Sequence, residues 1–529
     1  ITEAGRPFHF GLEAGSKAEL MAVLSYDLSS EALTICNGYK DEDFLRLALL
    51  GRKLGRKVVV VIEKFSEIDP LLSLADEMDV KPIIGLRIKM RIKTEGRWSE
   101  SSGVRDKFGL TISEILNAVR LIQERGYGDS IQMLHFHVGS QLSDIRYVRE
   151  AVQEAARIYA RLYKREIPLA YLDIGGGLAV DYDGSRSSNH SSMNYTMADY
   201  ARGVVFAVGQ TCELEDVPHP TLVSESGRAI TAHHSCVVMQ VIDEIVSDAH
   251  PVGGEPVEGE HILVGNMRDL AADLTEDKNF QDVYNEASVL MEDVLNAFKL
   301  GVLRMEEFAQ AETLYWNLMR SIQRGIRTAE FVSDDPRDVE SLLRSQYLCN
   351  FSLFQSAADS WAIDQILPVA PLTRLNEAPS RECTIADITC DSDGKISHFI
   401  GANGNCDNLP LHQLVPGENY YIGLFLTGAY QDVMGDMHNL FGRLNEAHIF
   451  CDPEDPTGFY IEEFVPGSTS GQVLNIMQYN TQSMVAKVKA NVDATLAKGG
   501  LRSREAVMLV DFYEACLSSY PYLHNPHSG

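Results

Sequence analysis

Across the first 230 residues, short apolar runs alternate with longer stretches in which Leu, Ile, Val and Ala return every three or four positions. The short runs read as strands: FHFGLE (8–13), LTICNG (33–38), KVVVVIE (57–63), IIGLRIKM (83–90), IQMLHFHVG (131–139), LAYLDIGGG (169–177) and TLVSESGR (221–228). Between them, Ser16 to Tyr26, Asp41 to Gly55, Thr111 to Arg125 and Asp144 to Lys164 carry a helical stripe. Strand-helix alternation of this kind predicts a parallel sheet. A closed barrel has eight such units, so seven in a chain that opens on Ile1 predict a first strand upstream, with a seven-stranded open sheet as the alternative.

The pattern then changes twice. Residues 278–330 lack proline and show two stripes, Val283, Ala287, Leu290, Met291, Val294 and Phe298, then, after Gly301, Met305, Phe308, Leu314, Tyr315, Leu318 and Ile322. This predicts a helical hairpin inserted into the main architecture. From 381 to 465 the chain is β-rich, with TIADITC and KISHFIG joined by a DSDG turn, followed by NYYIGLFLTGAY and GFYIEEFV. Two amphipathic helical stretches separated by Gly499 and Gly500 follow. The expected fold is α/β: a barrel over 1–270, a helical insertion over 271–335, a return to the barrel and a linker over 336–380, a β-domain over 381–470 and a C-terminal helical extension over 471–529.

Composition narrows the partners. Of 529 residues, 45% are hydrophobic and 23% charged, as in a globular protein. With 75 acidic against 46 basic side chains, the formal charge of −29 repels phosphate backbones and anionic lipid, which argues against nucleic acid. The surplus would draw a cationic substrate, or would simply keep the surface solvated. Nine cysteines, without C-x-x-C pairs, fit neither a disulfide framework nor a zinc site and suggest a reducing compartment. No apolar run approaches the roughly 18 residues that span a bilayer, so a cytoplasmic location is expected.

The unusual residues gather where strands end, which is the functional face of a parallel barrel. Gly175, Gly176 and Gly177 can bring backbone N–H groups close to an anion, or can merely form a tight turn. Glu225 stands in an apolar segment and is followed by Gly227 and Arg228; an arginine fork suits phosphate, and a buried Glu225–Arg228 pair is the alternative. His135 and His137 share a side by period-two alternation and lead into Gly139 and Ser140. They face a ligand or belong to the core.

HFHVGSQ, DIGGGLAVDYDG, SESGRAI, GNCDNLPLH and FLTGAYQDVMGDMHNLFG, with GLEAGSKAEL near the start, closely resemble the arginine decarboxylases of the alanine-racemase-like, ornithine-decarboxylase-related class of pyridoxal-phosphate enzymes. The resemblance is collinear over nearly the whole chain and includes the insertion and the extension. It implies a (β/α)8 barrel of alanine-racemase type, and conversion of L-arginine to agmatine and CO2 in polyamine biosynthesis. It also implies pyridoxal 5′-phosphate as cofactor and a homodimer or higher homo-oligomer with shared active sites.

By the same resemblance, His137 stacks on the cofactor ring. Ser140, Gly175, Gly176, Gly177, Gly227, Arg228 and Tyr430 hold the phosphate, and Glu225 faces the pyridine nitrogen. Arg87 and Glu13 line the ring. Cys406, from the neighbouring subunit, returns a proton to the substrate carbon, while Asp407 and Asp173 meet the substrate. Magnesium is sometimes associated with the family, but no carboxylate cluster in the sequence defines a site for it. The family's cofactor-bonding lysine lies on the first barrel strand, which places it upstream of Ile1, in a segment that would act as a cleaved partner, an unbuilt part or a removed one. Lys17 belongs to the helix-starting SKAEL pattern. The rival readings are a decarboxylase of another basic amino acid or of diaminopimelate, and a non-catalytic homologue that regulates decarboxylase subunits.

Overall fold

The structure, a computed structural model, describes residues 1–91, 106–247, 255–256, 258–274, 280–328, 339, 342–401, 404–455 and 457–524. The chain divides into two units, Ile1–Ser235 and Cys236–Gly529.

The first unit is a curved parallel sheet of seven strands in chain order: β1 (Leu12–Ala14), β2 (Leu33–Cys36), β3 (Lys57–Ile62), β4 (Ile83–Arg87), β5 (Ile131–His135), β6 (Tyr171–Asp173) and β7 (Thr221–Val223). Helices α1 (Lys17–Ser25), α2 (Glu42–Lys53), α3 (Ile68–Met78), α4 (Ile112–Glu124), α5 (Ile145–Tyr163) and α6 (Met197–Glu215) connect them. Five of the six start where a side chain can satisfy free backbone N–H groups, at Ser16, Asp41, Thr111, Asp144 and Thr196.

The consecutive valines of β3 follow from burial on both faces. Val58, Val60 and Ile62 pack outward into the helical layer with Leu45 and Leu49, while Val59 and Val61 pack inward with Ile35, Ile83 and Met133. Six of the seven strands end short of the apolar runs that foretold them, and the remaining residues become the loops of the site. The first run, FHFGLE, differs at its start. Arg6–Phe8 form a helical turn with His9 left-handed at φ 53°, and the strand begins only at Leu12.

The second unit holds β8 (Cys236–Ile245), β9 (Ser345–Cys349), β10 (Val369–Pro371), β11 (Arg381–Ala386), β12 (Lys395–Ile396), β13 (Phe399–Gly401), β14 (Gly404–Cys406), β15 (Leu409–Leu411), β16 (Tyr420–Phe425), β17 (Glu446–Cys451) and β18 (Phe459–Val465). Its main sheet runs β10-β16-β8-β9-β11-β12, with β15 on β11. The sequence reading is corrected here: 236–245 belongs to this sheet rather than to the barrel, and 345–349 and 369–371 do not return to the barrel. A short apolar run looks alike whichever sheet it joins, and its partners lie far along the chain.

Helices α8 (Ile262–Ala272), α9 (Phe280–Lys299) and α10 (Met305–Thr328) share a core of Val264, Met267, Val283, Ala287, Leu318 and Ile322. The expected hairpin has gained a third helix, and Met305, assigned to its stripe, is exposed. Gly301 takes φ 71° where the chain turns between α9 and α10. Of the 271–335 segment, residues 275–279 and 329–335 lie outside the described residues. The C-terminal segment forms α11 (Ser470–Ile476), α12 (Thr481–Ala497) and α13 (Ser503–Leu517). No helix among the described residues is long and apolar enough to cross a membrane.

Candidate active site

The C-terminal ends of the seven parallel strands bring most of the singled-out residues together. Glu13 lies on β1; Arg87, His135 and Asp173 end β4, β5 and β6; and Glu225 follows β7 by two residues. Glycines make the approach possible. Gly175 is left-handed at φ 64°, and a Cβ there would run into the Phe136 carbonyl. A Cβ on Gly176 would stand 3.2 Å from both the Glu225 carbonyl and the His137 ring. At Gly177, φ 107°, it would meet the Gly139 carbonyl at 2.9 Å. The triplet is thus a close-packed turn in which only glycine fits.

Beside it, Ser140 Oγ accepts from Arg228 Nη2 at 3.0 Å and Nε at 3.3 Å, and Tyr182 Oη accepts from Nη1 at 2.9 Å. Arg228 is buried in the short helix α7 (Gly227–Thr231), of which Gly227 is the first residue. A hydroxyl, a guanidinium and glycine backbone in one place form an anion-binding arrangement. Arg228 turns to Ser140 and Tyr182.

His137 Nδ1 accepts from Gly176 N–H at 3.1 Å, which fixes a neutral ring with its proton on Nε2. Burial, then Arg87 and His135, push its pKa down to about 3. Arg87 is buried against Glu63 Oε1 at 3.2 Å and lies 4.9 Å over the Phe108 ring.

Glu225 Oε1 accepts from Asn37 Nδ2 at 2.7 Å and lies 4.0 Å from His135 Nδ1. Burial, then the charge of Asp173, raise its pKa. Asp173 is fully buried, its Oδ1 accepts from Gly175 N–H at 2.9 Å, and burial raises its pKa too. His135 is pushed toward the neutral form by burial. Glu13 stays open to solvent, yet its packing at the barrel mouth and then the charge of Glu225 raise its pKa. The floor of the site is therefore acid-rich and short of positive charge.

His135, Asp173 and Glu225 are also the three-ligand group among the described residues whose donor atoms lie close enough for a metal, all within 4.8 Å. The sequence reading missed several groups that hold this set. Glu63, at the end of KVVVVIE, is a single polar residue closing an apolar run, and that was its signal, whereas Asn37 stands in an N-G turn that gives none. Tyr182 lay inside the quoted DYDG motif. Lys17 is paired with Asp41 at 2.7 Å on the surface of α1, whereas Lys40 is buried, with Nζ donating to the Gly38 carbonyl at 2.7 Å and lying 3.8 Å from Glu67.

The remaining singled-out residues lie in the second unit. Cys406 ends β14, and its Sγ contacts the Asn408 carbonyl at 3.1 Å. Asp407 Oδ1 stands 2.9 Å from His398 Nδ1. Tyr430 has φ 69° and is exposed.

Three comparisons bear on this arrangement. Residues 3–232 match the pyridoxal binding domain of pyridoxal-dependent decarboxylases, 257–342 the arginine decarboxylase helical bundle domain and 471–523 the arginine decarboxylase C-terminal helical extension. The biosynthetic arginine decarboxylase of Gloeobacter violaceus is 42% identical over 99% of this chain and 82% of its own length. That of Deinococcus radiodurans is 42% identical over 99% of this chain and 79% of its own length. The crystal structure of the biosynthetic arginine decarboxylase of Campylobacter jejuni superposes with a TM-score of 0.84 at 29% identity, covering 99% of this chain and 83% of that one. A diaminopimelate decarboxylase from Helicobacter pylori shares the fold at a TM-score of 0.56 and 16% identity, over 90% of this chain and 86% of that one. The chain belongs to the biosynthetic arginine decarboxylase family.

Proposed function

We propose that the protein is a pyridoxal-phosphate-dependent carboxy-lyase that converts L-arginine to agmatine and CO2 in polyamine biosynthesis. The observation that carries this reading is the single constellation at the barrel mouth, an anion cradle at Ser140, Gly176 and Arg228 beside an acidic floor at Glu225. The residues fit the cofactor. The buried Arg228 guanidinium beside the Ser140 hydroxyl suits a phosphate, and buried carboxyls with raised pKa values suit a cationic ring nitrogen.

When bound, pyridoxal phosphate supplies an electron sink for the charge left by departing carbon dioxide. The chain's own groups bind and orient it and handle protons. Ser140, Gly175 to Gly177, Gly227, Arg228 and Tyr430 bind the phosphate, and the neutral His137 ring offers a face to the cofactor. Glu225 holds a proton at the ring nitrogen, and Arg87 and Glu13 border the ring. Cys406, supplied by a neighbouring copy in a dimer or larger homo-oligomer, gives a proton to the substrate carbon, and Asp407 meets the guanidinium. Asp173, which the resemblance assigned to the substrate, is fully buried behind the glycine turn with Oδ1 on the Gly175 N–H, so its part is to support Glu225 rather than to touch the substrate. We place the protein in the cytoplasm. We assign magnesium no residues: it favours octahedral oxygen ligands with retained water, unlike a closed His135–Asp173–Glu225 floor.

The test is agmatine and CO2 release by the full chain with pyridoxal phosphate and equal concentrations of arginine, ornithine, lysine or diaminopimelate. Arginine should be preferred by at least about tenfold in kcat/KM, because a carboxylate recognises a planar guanidinium through paired hydrogen bonds. Comparable efficiency with lysine or diaminopimelate would overturn the substrate assignment.

A further inference from the structure

Gln141 closes the HFHVGSQ motif, directly after Ser140, and the chemistry described so far gives it no part. It is buried, and its backbone is left-handed at φ 51°, with Gly139 at φ 120° on the other side of Ser140. A residue with a Cβ is disfavoured in this region and stays there only where its surroundings over-determine it. The side-chain amide supplies that constraint. Oε1 accepts from the Val180 N–H at 2.9 Å, while Nε2 donates to the Val180 carbonyl at 2.7 Å and to the Ser192 carbonyl at 3.2 Å. The amide's oxygen and both its hydrogens are therefore spent on main chain of the loop that follows β6.

These contacts join the two segments that hold Arg228. Ser140 is the covalent neighbour of Gln141, Tyr182 lies two residues beyond Val180, and both hydroxyls accept from the Arg228 guanidinium. The third contact of Gln141, on Ser192, supports the same segment. The Ser192 hydroxyl donates to Asp181 Oδ1 at 2.7 Å, and the Tyr182 N–H donates to the Ser191 carbonyl at 3.0 Å. Beside the amide, the Leu142 N–H donates to the Gly177 carbonyl at 3.0 Å, and Tyr195 Oη donates to the Leu142 carbonyl at 2.7 Å. The loop after β5 and the glycine turn after β6 are thus fastened in one register, with Gln141 at the point nearest Ser140.

We propose that Gln141 is a positioning residue for the phosphate, acting through Ser140, Tyr182 and Arg228. It fixes the separation of the two hydroxyls between which the guanidinium sits, and so the direction in which the fork can face an anion. This inference rests on the reading that phosphate binds at Ser140 and Arg228.

Pyridoxine 5′-phosphate and pyridoxine share the ring, lack an aldehyde and differ in the phosphate. Their dissociation constants with the full chain are measured by calorimetry for the wild type, Gln141→Asn, Gln141→Gly and Arg228→Lys. Asparagine and glycine both tolerate the left-handed backbone, so these changes ease it while removing the clamp, the shorter asparagine amide failing to span Val180 and Ser192. Each should weaken pyridoxine 5′-phosphate at least about tenfold and pyridoxine less than about twofold. A merely structural role would move the two ligands together. Equal weakening of both, or of neither, while Arg228→Lys still weakens the phosphate ligand selectively, overturns the part given to Gln141 and leaves the phosphate reading standing. If Arg228→Lys is not selective either, the phosphate reading falls and this inference with it. Should both Gln141 variants fail to fold, hydrogen exchange of the wild type decides. The segment from Val180 to Ser192 should gain protection with pyridoxine 5′-phosphate and not with pyridoxine, and equal protection by the two, or none by either, overturns the proposal.

Discussion

Glu225 and Asp407 are both carboxylates with a part in the proposed chemistry, and their surroundings are opposite. The Glu225 side chain is 16% exposed, held by Asn37 at 2.7 Å and crowded by Asp173 and His135. Asp407 is 61% exposed, and among the described residues its carboxylate meets the similarly open His398. The fold of the first unit dictates where Glu225 points and how readily it ionises. An exposed ion pair, in contrast, is worth about 0–1 kcal/mol, so this chain alone imposes little on Asp407. A buried acid is tuned by its own fold, whereas an exposed one awaits what docks over it, in keeping with a residue completed by a second copy.

The sharpest way to break this contrast is to neutralise the buried acid without changing its shape. Glu225→Gln keeps the Asn37 contact geometry but cannot hold a proton at the ring nitrogen, and kcat should fall by about 10²–10³-fold, as when a preorganised electrostatic group is removed. Full activity would show that the buried site is not the chemical one. Cys406→Ala should cost about 10²-fold in kcat through loss of a general acid. Mixed with His137→Ala protein under conditions of subunit exchange, it should regain activity, because one shared site of the mixed dimer has both residues intact. No recovery despite demonstrated exchange would mean that Cys406 serves its own chain. Arg228→Lys should weaken cofactor binding by about 10-fold, since a point-like ammonium cannot bridge Ser140 and phosphate as the fork does. Equilibrium dialysis against pyridoxal phosphate would measure it, and unchanged affinity would remove Arg228 from the anion site.

The same contrast explains what the sequence revealed. The strands of the barrel were legible because burial on both faces writes itself as uninterrupted apolar runs, as in KVVVVIE. Helix starts were legible at Ser16, Asp41, Thr111 and Asp144, where capping residues precede periodic stripes. Local chemistry carried both. The role of 236–245 was hidden because its pairing with Tyr420–Phe425 is non-local and leaves no mark on its own pattern. Among the groups at the site, glycines and charges that break a strand pattern stood out, as at Gly175 and Glu225. Asn37 did not, because a polar residue in an N-G turn is common, and only the fold brings its amide to a carboxylate on the far edge of the sheet.

The smallest effect separates the two acids by stability alone. In the cofactor-free protein the pKa of Glu225 is raised above its unfolded value of about 4.5. Between that value and its folded one, the native state binds more protons than the unfolded state. Stability therefore falls as pH rises through this window, and the contribution is fully present only below it. Gln does not titrate, so Glu225→Gln should lack this part of the decline and gain on the wild type by about 1 kcal/mol between pH 5 and pH 8, read as urea midpoints across that range. Asp407→Asn, removing an exposed charge, should follow the wild-type profile within about 0.5 kcal/mol throughout. If Asp407→Asn changed the slope as much as Glu225→Gln, the exposed bend after β14 would be as tightly coupled to the fold as the barrel floor, and the distinction between a tuned acid and a waiting one would fail.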